Sequence, residues 1–493
     1  MTPQRRPGGA QVTAQGWGWQ HAGQHRWAVR DLDLSIEPGQ RVLLLGPSGS
    51  GKSTILHGLA GLLGSAEDGR EAGCLRVDGA RPAEQRSRIG MVLQDPDAQV
   101  ILSRVGDDVA FGMENFRVPR ADIWPRVRDA LESVGLDLPL DHDTAHLSGG
   151  QKQRLALAGV LAMHPGLILL DEPTANLDPA GVAEVRDAVT AAADLTGATV
   201  VVVEHRTAVW LPVVDRVVVL GEDGDVLADG PPEQTVRRES ARLVRSGIWV
   251  PDGPVPVVDR TPPADAEPLL RAADLSVGYR PGPPLQSGLD VDIRRGHITA
   301  VTGPNGSGKS TLALTLGGLL PPLAGTLEAL GAFAPSPRSR QPVRWRAKDL
   351  LTRITSVFQD PEHQFLTGTV RDEIMLGPKA LKRSRDQTAA LADALLDRLR
   401  LAHLADRSPF TLSGGEKRRL SVATVLITRP GVIVLDEPTF GQDRRTWEEL
   451  IHLLAELADD GTAVVAVTHD AEFVDVLADH RIDLPLAAVG SAR

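Results

Sequence analysis

GPSGSGKST at residues 46–54 returns almost letter for letter as GPNGSGKST at residues 303–311. Both fit G-x-x-x-x-G-K-[ST], a loop that turns its backbone N–H groups inward around phosphate oxygens. The first copy comprises Gly46, Pro47, Ser48, Gly49, Ser50, Gly51, Lys52, Ser53 and Thr54. The second comprises Gly303, Pro304, Asn305, Gly306, Ser307, Gly308, Lys309, Ser310 and Thr311. The glycines allow the tight turn, Lys52 and Lys309 bring positive charge to the β- and γ-phosphates, and Ser53 and Ser310 offer a hydroxyl to Mg²⁺. The helix expected to start there points the positive end of its dipole at the same anion. An apolar run precedes each copy (42–45 and 298–301) and a helical pattern follows, the strand–loop–helix setting of the motif. A Gly-rich turn arising by chance would have to arise twice in matching contexts. Two cradles imply two bound nucleotides.

Other landmarks repeat outward from the cradles. LILLDEPT (167–174) returns as VIVLDEPT (432–439), LSGGQ (147–151) as LSGGE (412–416), and VLQDP (92–96) as VFQDP (357–361). Gln94 to Gln359, Ser148 to Ser413 and Asp171 to Asp436 are each 265 residues, whereas Lys52 to Lys309 is 257. The second copy therefore holds eight extra residues between cradle and glutamine, expected as a surface loop in the Pro- and Arg-rich stretch 335–346. A period this long signals duplicated domains rather than a solenoid. The expected layout is a first domain at 10–230, a helical tail with a Pro-rich linker at 231–268, and a second domain at 269–493. The stretch 250–268 has too much proline for helix or central strand. It reads as an extended tether that spans on the order of 55 Å and lets the halves face each other. Within each half β-branched runs alternate with helical stretches, an α/β pattern with a mainly parallel core sheet. A helical insert is expected at about 100–145 and 365–410.

Bulk properties narrow the class. The 493 residues leave room for two to four domains. A net charge of −11 without a dense Lys/Arg run argues against a nucleic-acid partner. Cys74 is the single cysteine, so an intrachain disulfide is impossible, and it reads as a small residue of an N-terminal sheet. The opening MTPQRRPGGAQ lacks the apolar stretch of a signal peptide, and no apolar run reaches the ~18 residues of a membrane span. The expectation is a soluble, cytoplasmic chain able to dock on a membrane protein.

Asp171 and Asp436 end apolar strands, where a carboxylate can hold Mg²⁺ directly or through water. Glu172 and Glu437, one residue later, are placed to polarise an attacking water or accept its proton. The plainer alternative is an acidic strand end that caps a helix. His205 and His469 follow β-branched strands in VVVEH and VAVTH, 33 and 32 residues after those glutamates. A histidine there can sense the γ-phosphate and hold the water. His21, His25, His57, His142 and His146 lack this regularity and read as surface or packing residues. Ser148, Gly149 and Gly150, and likewise Ser413, Gly414 and Gly415, make a second anion-binding helix start in each half. One head-to-tail arrangement places Ser148 over the nucleotide on Lys309 and Ser413 over that on Lys52.

Cradle, glutamine, LSGG, acid pair and histidine, in this order and twice, resemble an ATP-binding cassette (ABC) ATPase. The resemblance implies ATP and Mg²⁺ as cofactors, and two tandem domains that each join the parallel sheet to an antiparallel β part and a helical subdomain. It adds Gln94 and Gln359 to the Mg²⁺ sites. It implies that Tyr279, in LSVGYR, stacks on adenine and that Trp19, in GWGWQ, takes its place in the first half. A core-edge aromatic is the other reading of either residue. QDPDAQVILSRVGDDVAFGMEN (94–115) and QDPEHQFLTGTVRDEIMLGP (359–378) are similar to the region after the glutamine in energy-coupling factor (ECF) transporter ATPases. That likeness implies a motor on the cytoplasmic side of the cell membrane, bound peripherally to a transmembrane coupling subunit and a substrate-binding membrane subunit. Its halves form an intramolecular pseudo-dimer, and its task is uptake of a vitamin or metal ion, with thiamine or a precursor as the guess. Asp97, Asp107 and Asp108 lie where coupling helices dock in that family, or form a solvated acidic face. The first half has Asn176–Leu177–Asp178 after its acid pair where the second has Phe440, Gly441, Gln442 and Asp443, so the two sites need not fire equally. The main rival is a soluble tandem ABC protein acting on the ribosome. Such proteins carry a long charged linker, unlike the short acidic tether here.

Overall fold

The computed structural model describes all residues except 1–7, 25, 48, 65–67, 175–176, 178, 223, 252, 440–441 and 487–493. Ser48 of the first cradle therefore lies outside the described residues, as do Asn176, Asp178, Phe440 and Gly441. The chain divides into two compact units, 1–254 with 443–445, and 255–442 with 446–493.

The first unit is built on a six-stranded sheet. Its spatial order is Ile89–Val92, Leu167–Asp171, Thr199–Val203, Arg41–Leu45, Arg216–Leu220 and Val226–Gly230, parallel except for the last strand. The central strands are apolar throughout because both faces are covered. Side chains of alternate residues go to opposite faces. Thus Leu43, Leu45, Ile168, Leu170, Val200 and Val202 enter one core, while Val42, Leu44, Leu167, Leu169, Val201 and Val203 enter the other. The first core is shared with helices Val105–Asn115, Arg120–Ser133 and Gly149–Ala162, and the second with the cradle helix Lys52–Leu59. That second core also receives a three-stranded antiparallel sheet, Val29–Ile36, Val12–His21 and Gly69–Val77.

The second unit repeats the plan. Its five-stranded parallel sheet runs Ile354–Val357, Val432–Asp436, Ala463–Val467, Ile298–Thr302 and His480–Asp483. Gln286–Arg294, Pro268–Val277 and Ala324–Ala329 form its antiparallel sheet.

The eight extra residues are a net figure. The offset between halves falls from 257 at the cradle lysines to 252 at the strand ends Val77 and Ala329, then rises to 265 at Ile89 and Ile354. The added segment is more than a loop. It includes helix Ala347–Arg353 and a buried Trp345, whose indole N–H donates to the Ser339 carbonyl at 2.9 Å.

The expected tether is held well before its C-terminal end. The Arg260 side chain is buried on the second unit, pairing with Asp459 at 3.1 Å and Asp479 at 2.7 Å, and His297 Nε2 meets the Pro263 carbonyl at 3.0 Å. On the first unit, the Trp249 carbonyl accepts from the Thr207 hydroxyl at 2.7 Å. The stretch left between these anchors, nine residues long, reaches at most about 30 Å rather than 55 Å.

Candidate functional site

Each cradle lies at the C-terminal end of its central strand, where open parallel sheets present their ligand crevice. Gly51 and Gly308 adopt φ of 84° and 91° just before their helices. A β-carbon at Gly51 would come within 2.4 Å of the Ala28 carbonyl oxygen, so glycine is required there. Lys52 Nζ donates to the carbonyls of Gly46 (2.8 Å) and Pro47 (3.0 Å), folding the side chain back over the loop. Lys309 does the same with Gly303 and Pro304, both at 2.9 Å. Burial depresses the Lys52 ammonium below its ordinary pKa, against the pull of Glu172 and Asp171.

The acid pairs share an unusual backbone. Glu172 and Glu437 have φ of 48° and 50°, a left-handed conformation that costs a non-glycine residue about 1 kcal/mol or more. Their N–H groups donate to Val203 and Val467, each at 2.9 Å. The kink turns the glutamate off the strand line, next to the histidine of the neighbouring strand end. In the first half Glu172 Oε1 lies 3.0 Å from His205 Nε2, and Oε2 accepts from Gln94 Nε2 at 2.8 Å. Burial works against both charges, but the Glu172–His205 attraction prevails, so the carboxyl is lowered and the imidazole raised. In the second half the corresponding distance is 3.7 Å, and His469 Nε2 also meets Asn305 Oδ1 at 3.1 Å. There burial, then the neighbouring Asp436, pushes Glu437 up to about 7.

The residues at the strand ends fit a divalent cation. Asp171 is pushed up to about 6 by burial and Glu172 despite a hydrogen bond with Ser53, and Asp436 is raised by burial despite one with Ser310. Asp436 Oδ1 is buried without a hydrogen-bond partner, an arrangement that a cation would relieve. Hydroxyl and carboxylate oxygens suit Mg²⁺, which completes its shell with water and substrate phosphate. Ser53 with Asp171 and Ser310 with Asp436 would hold it, and it would neutralise charge on the transferring phosphoryl group.

Ser148 and Ser413 cap the helices Gly149–Ala162 and Gly414–Leu426 through reciprocal bonds. The Ser148 N–H donates to Gln151 at 2.9 Å and the Ser413 N–H to Glu416 at 2.8 Å. Ser148, Gly149, Ser413 and Gly414 are exposed, leaving both helix starts accessible.

The expectation for Trp19 is wrong. Its side chain is 1% exposed inside the antiparallel-sheet core, with the indole N–H directed to His21 Nδ1 at 3.3 Å. Strand register explains the error. Val12 pairs with Val77 as Leu270 pairs with Ala329, and both strands bulge a few residues later, so Trp19 corresponds to the buried Val277. The same register makes His21 the counterpart of Tyr279, which is 55% exposed. His21 Nε2 lies 3.2 Å from the Thr54 hydroxyl, at the cradle helix. Sequence reading set His21 aside, and the signal it needed was the bulge at Gly16 and Asp274, both at positive φ.

Other roles emerge only from contacts. Gln99 accepts from the Leu93 N–H (2.7 Å) and donates to the Met91 carbonyl (3.0 Å), and Gln364 bonds Phe358 and Ser356 in the same way. Asp108 accepts the Ile101 and Leu102 N–H groups at 2.8 Å each, and Glu373 takes those of Leu366 and Thr367. Asp97 pairs with Lys152. Asp97 and Asp108 thus hold their own loop together. Arg418 also went unnoticed. Its guanidinium donates to the carbonyls of Phe358 (2.7 Å), Gln359 and Asp436 (3.3 Å), tying the glutamine loop to the acid-pair strand.

Two cradles, two acid pairs and two capped LSGG helices on duplicated α/β units define a tandem nucleotide-hydrolysing cassette protein. The family described as "ABC transporter" matches residues 29–175 and 286–440, and the chain belongs to it. It is an ABC ATPase. A relative from Bacillus subtilis (strain 168), named "Putative HMP/thiamine import ATP-binding protein YkoD", is 37% identical over 91% of this chain and 85% of its own length. One from Bifidobacterium longum (strain NCC 2705), "Putative ABC transporter ATP-binding protein BL0043", is 34% identical over 94% of this chain, which covers 64% of that protein. An archaeal ABCE1 ribosome recycling factor, solved with a ribosomal stalk protein, is similar in fold over 95% of this chain and 87% of its own (TM-score 0.62, 22% identity). Among the described residues no helix is long and apolar enough to cross a membrane.

Proposed function

We propose that the chain is the ATP-hydrolysing motor of an ECF-type importer, working from the cytoplasmic face on a transmembrane coupling subunit and a substrate-binding membrane subunit. The cargo class is a vitamin or metal ion, with thiamine or a precursor favoured by the import name of the Bacillus relative. Catalysis falls to Glu172 with His205 and Glu437 with His469. Mg²⁺ falls to Ser53, Asp171 and Gln94, and to Ser310, Asp436 and Gln359. Each LSGG helix start completes the nucleotide site of the other half, so that ATP favours a closed pseudo-dimer and hydrolysis releases it.

One observation carries the membrane-partner reading. Ile101 and Leu366, 265 residues apart, are 59% and 78% exposed, each on the loop that follows a glutamine. The loop's polar groups are bound inward to Gln99 and Asp108, or to Gln364 and Glu373, leaving an apolar residue outward in each half. A repeated apolar tip beside each active site suits a hydrophobic partner helix that moves with the site. The test is co-purification in detergent of wild type and an Ile101→Asp/Leu366→Asp double variant. The variant is expected to keep basal ATPase activity and to lose the membrane subunits. Wild type that recovers ribosomes and no membrane protein would establish the rival function.

A further inference from the structure

The two sites hold their histidines differently, and the difference lies in a residue that no step above uses. Glu204 follows strand Thr199–Val203 and is buried. Its Oε1 accepts the His205 backbone N–H at 2.9 Å, and its Oε2 accepts the Thr174 hydroxyl. A single carboxyl thus bridges the turn that carries His205 and the turn that carries Glu172. On the other side, the His205 carbonyl accepts the Trp249 N–H at 3.2 Å. Both peptide groups flanking the imidazole are therefore fixed.

Thr468 takes that place before His469, and its shorter side chain accepts the Asp470 N–H at 3.0 Å. The His469 N–H goes instead to Glu437 Oε2 at 3.3 Å. The glutamate of the second site thus spends one oxygen on the backbone. In the first site Glu204 takes over that duty, and both oxygens of Glu172 face functional side chains, His205 and Gln94. The imidazole–carboxylate distances, 3.0 Å against 3.7 Å, follow the same division.

We infer that Glu204 is a positioning residue of the first site, which sets His205 against Glu172 and makes the two sites hydrolyse ATP at different rates. The inference rests on the reading of Glu172 and His205 as the hydrolytic pair. A misplacement of under an ångström in such a pair is enough to slow a chemical step by about tenfold.

The test is single-turnover ATP cleavage started with Mg²⁺ on the full chain, with one site silenced at a time. In a Glu437→Gln background, Glu204→Ala is expected to slow cleavage about tenfold with the half-saturating ATP concentration unchanged. Glu204→Gln keeps an acceptor for the His205 N–H and a partner for Thr174, so it should restore the rate to within about twofold. Glu204→Thr, the residue type of the second site, should behave like alanine. In a Glu172→Gln background none of the three should alter cleavage. Equal slowing in both backgrounds, a parallel loss of ATP affinity, or failure of the glutamine to rescue would overturn the inference. First-site cleavage that survives Glu172→Gln, or is absent with Glu437→Gln, would overturn the underlying hydrolytic reading instead.

Discussion

A carboxyl buried at a strand end keeps its proton to higher pH than one in water, and Glu437 is pushed up to about 7 from an ordinary 4.5. The unfolded chain ionises this group first, so between those values the folded state binds more protons and stability falls as pH rises. In the absence of metal and nucleotide, wild type should lose roughly 3 kcal/mol relative to Glu437→Gln between pH 4.5 and pH 8, read by denaturant titration at several pH values. Asp171, raised to about 6, acts in the same direction. Trp19 and His21 separate a packing role from a binding role at the same scale. Trp19→Ala should cost about 3–5 kcal/mol of unfolding free energy through the cavity it leaves. His21→Ala should leave stability nearly unchanged and weaken ATP binding in the first half by a few-fold, measured by nucleotide titration of a Tyr279→Ala background. Lysine, aspartate, glutamate and histidine were legible because their chemistry fixes both residue type and spacing. His21 was not, because two bulges shift the register, and neither was Glu204, whose bond to a backbone N–H leaves no trace in spacing.

At the scale of elements, short polar side chains decide where helices and loops stop. Ser148 and Ser413 each cap a helix whose second and third positions offer further N–H groups. Ser413→Ala should cost about 1 kcal/mol of local stability, visible as faster amide exchange over the first turn of Gly414–Leu426. The LSGG helices were readable because Ser-Gly-Gly-Gln and Ser-Gly-Gly-Glu are capping boxes as well as anion sites. The loop geometry around Glu373 was not, since a carboxylate that accepts the Leu366 and Thr367 N–H groups looks, in sequence, like any acid in a first helical turn. Glu373→Ala should release those two amides to exchange while helix Val370–Ala380 persists.

At the scale of the whole molecule, duplication was plain from four repeated motifs, and the alternation of apolar runs gave the parallel sheets. The offset hid two opposite length changes because only their sum reaches the glutamine. Their position required the antiparallel strands, which carry no chemical motif. Arg260 illustrates the same limit: an arginine among prolines reads as linker, yet its guanidinium is buried between two aspartates. Arg260→Ala should destabilise the second unit by about 3 kcal/mol, detected as a lower denaturant midpoint, since it leaves Asp479 buried without its ion pair.

That anchor also decides where the connection between the cassettes can be re-engineered. Extra Gly-Ser residues spliced in ahead of position 260 would add slack in proportion to their number. The same residues placed behind it would bulge from a folded lobe and add none.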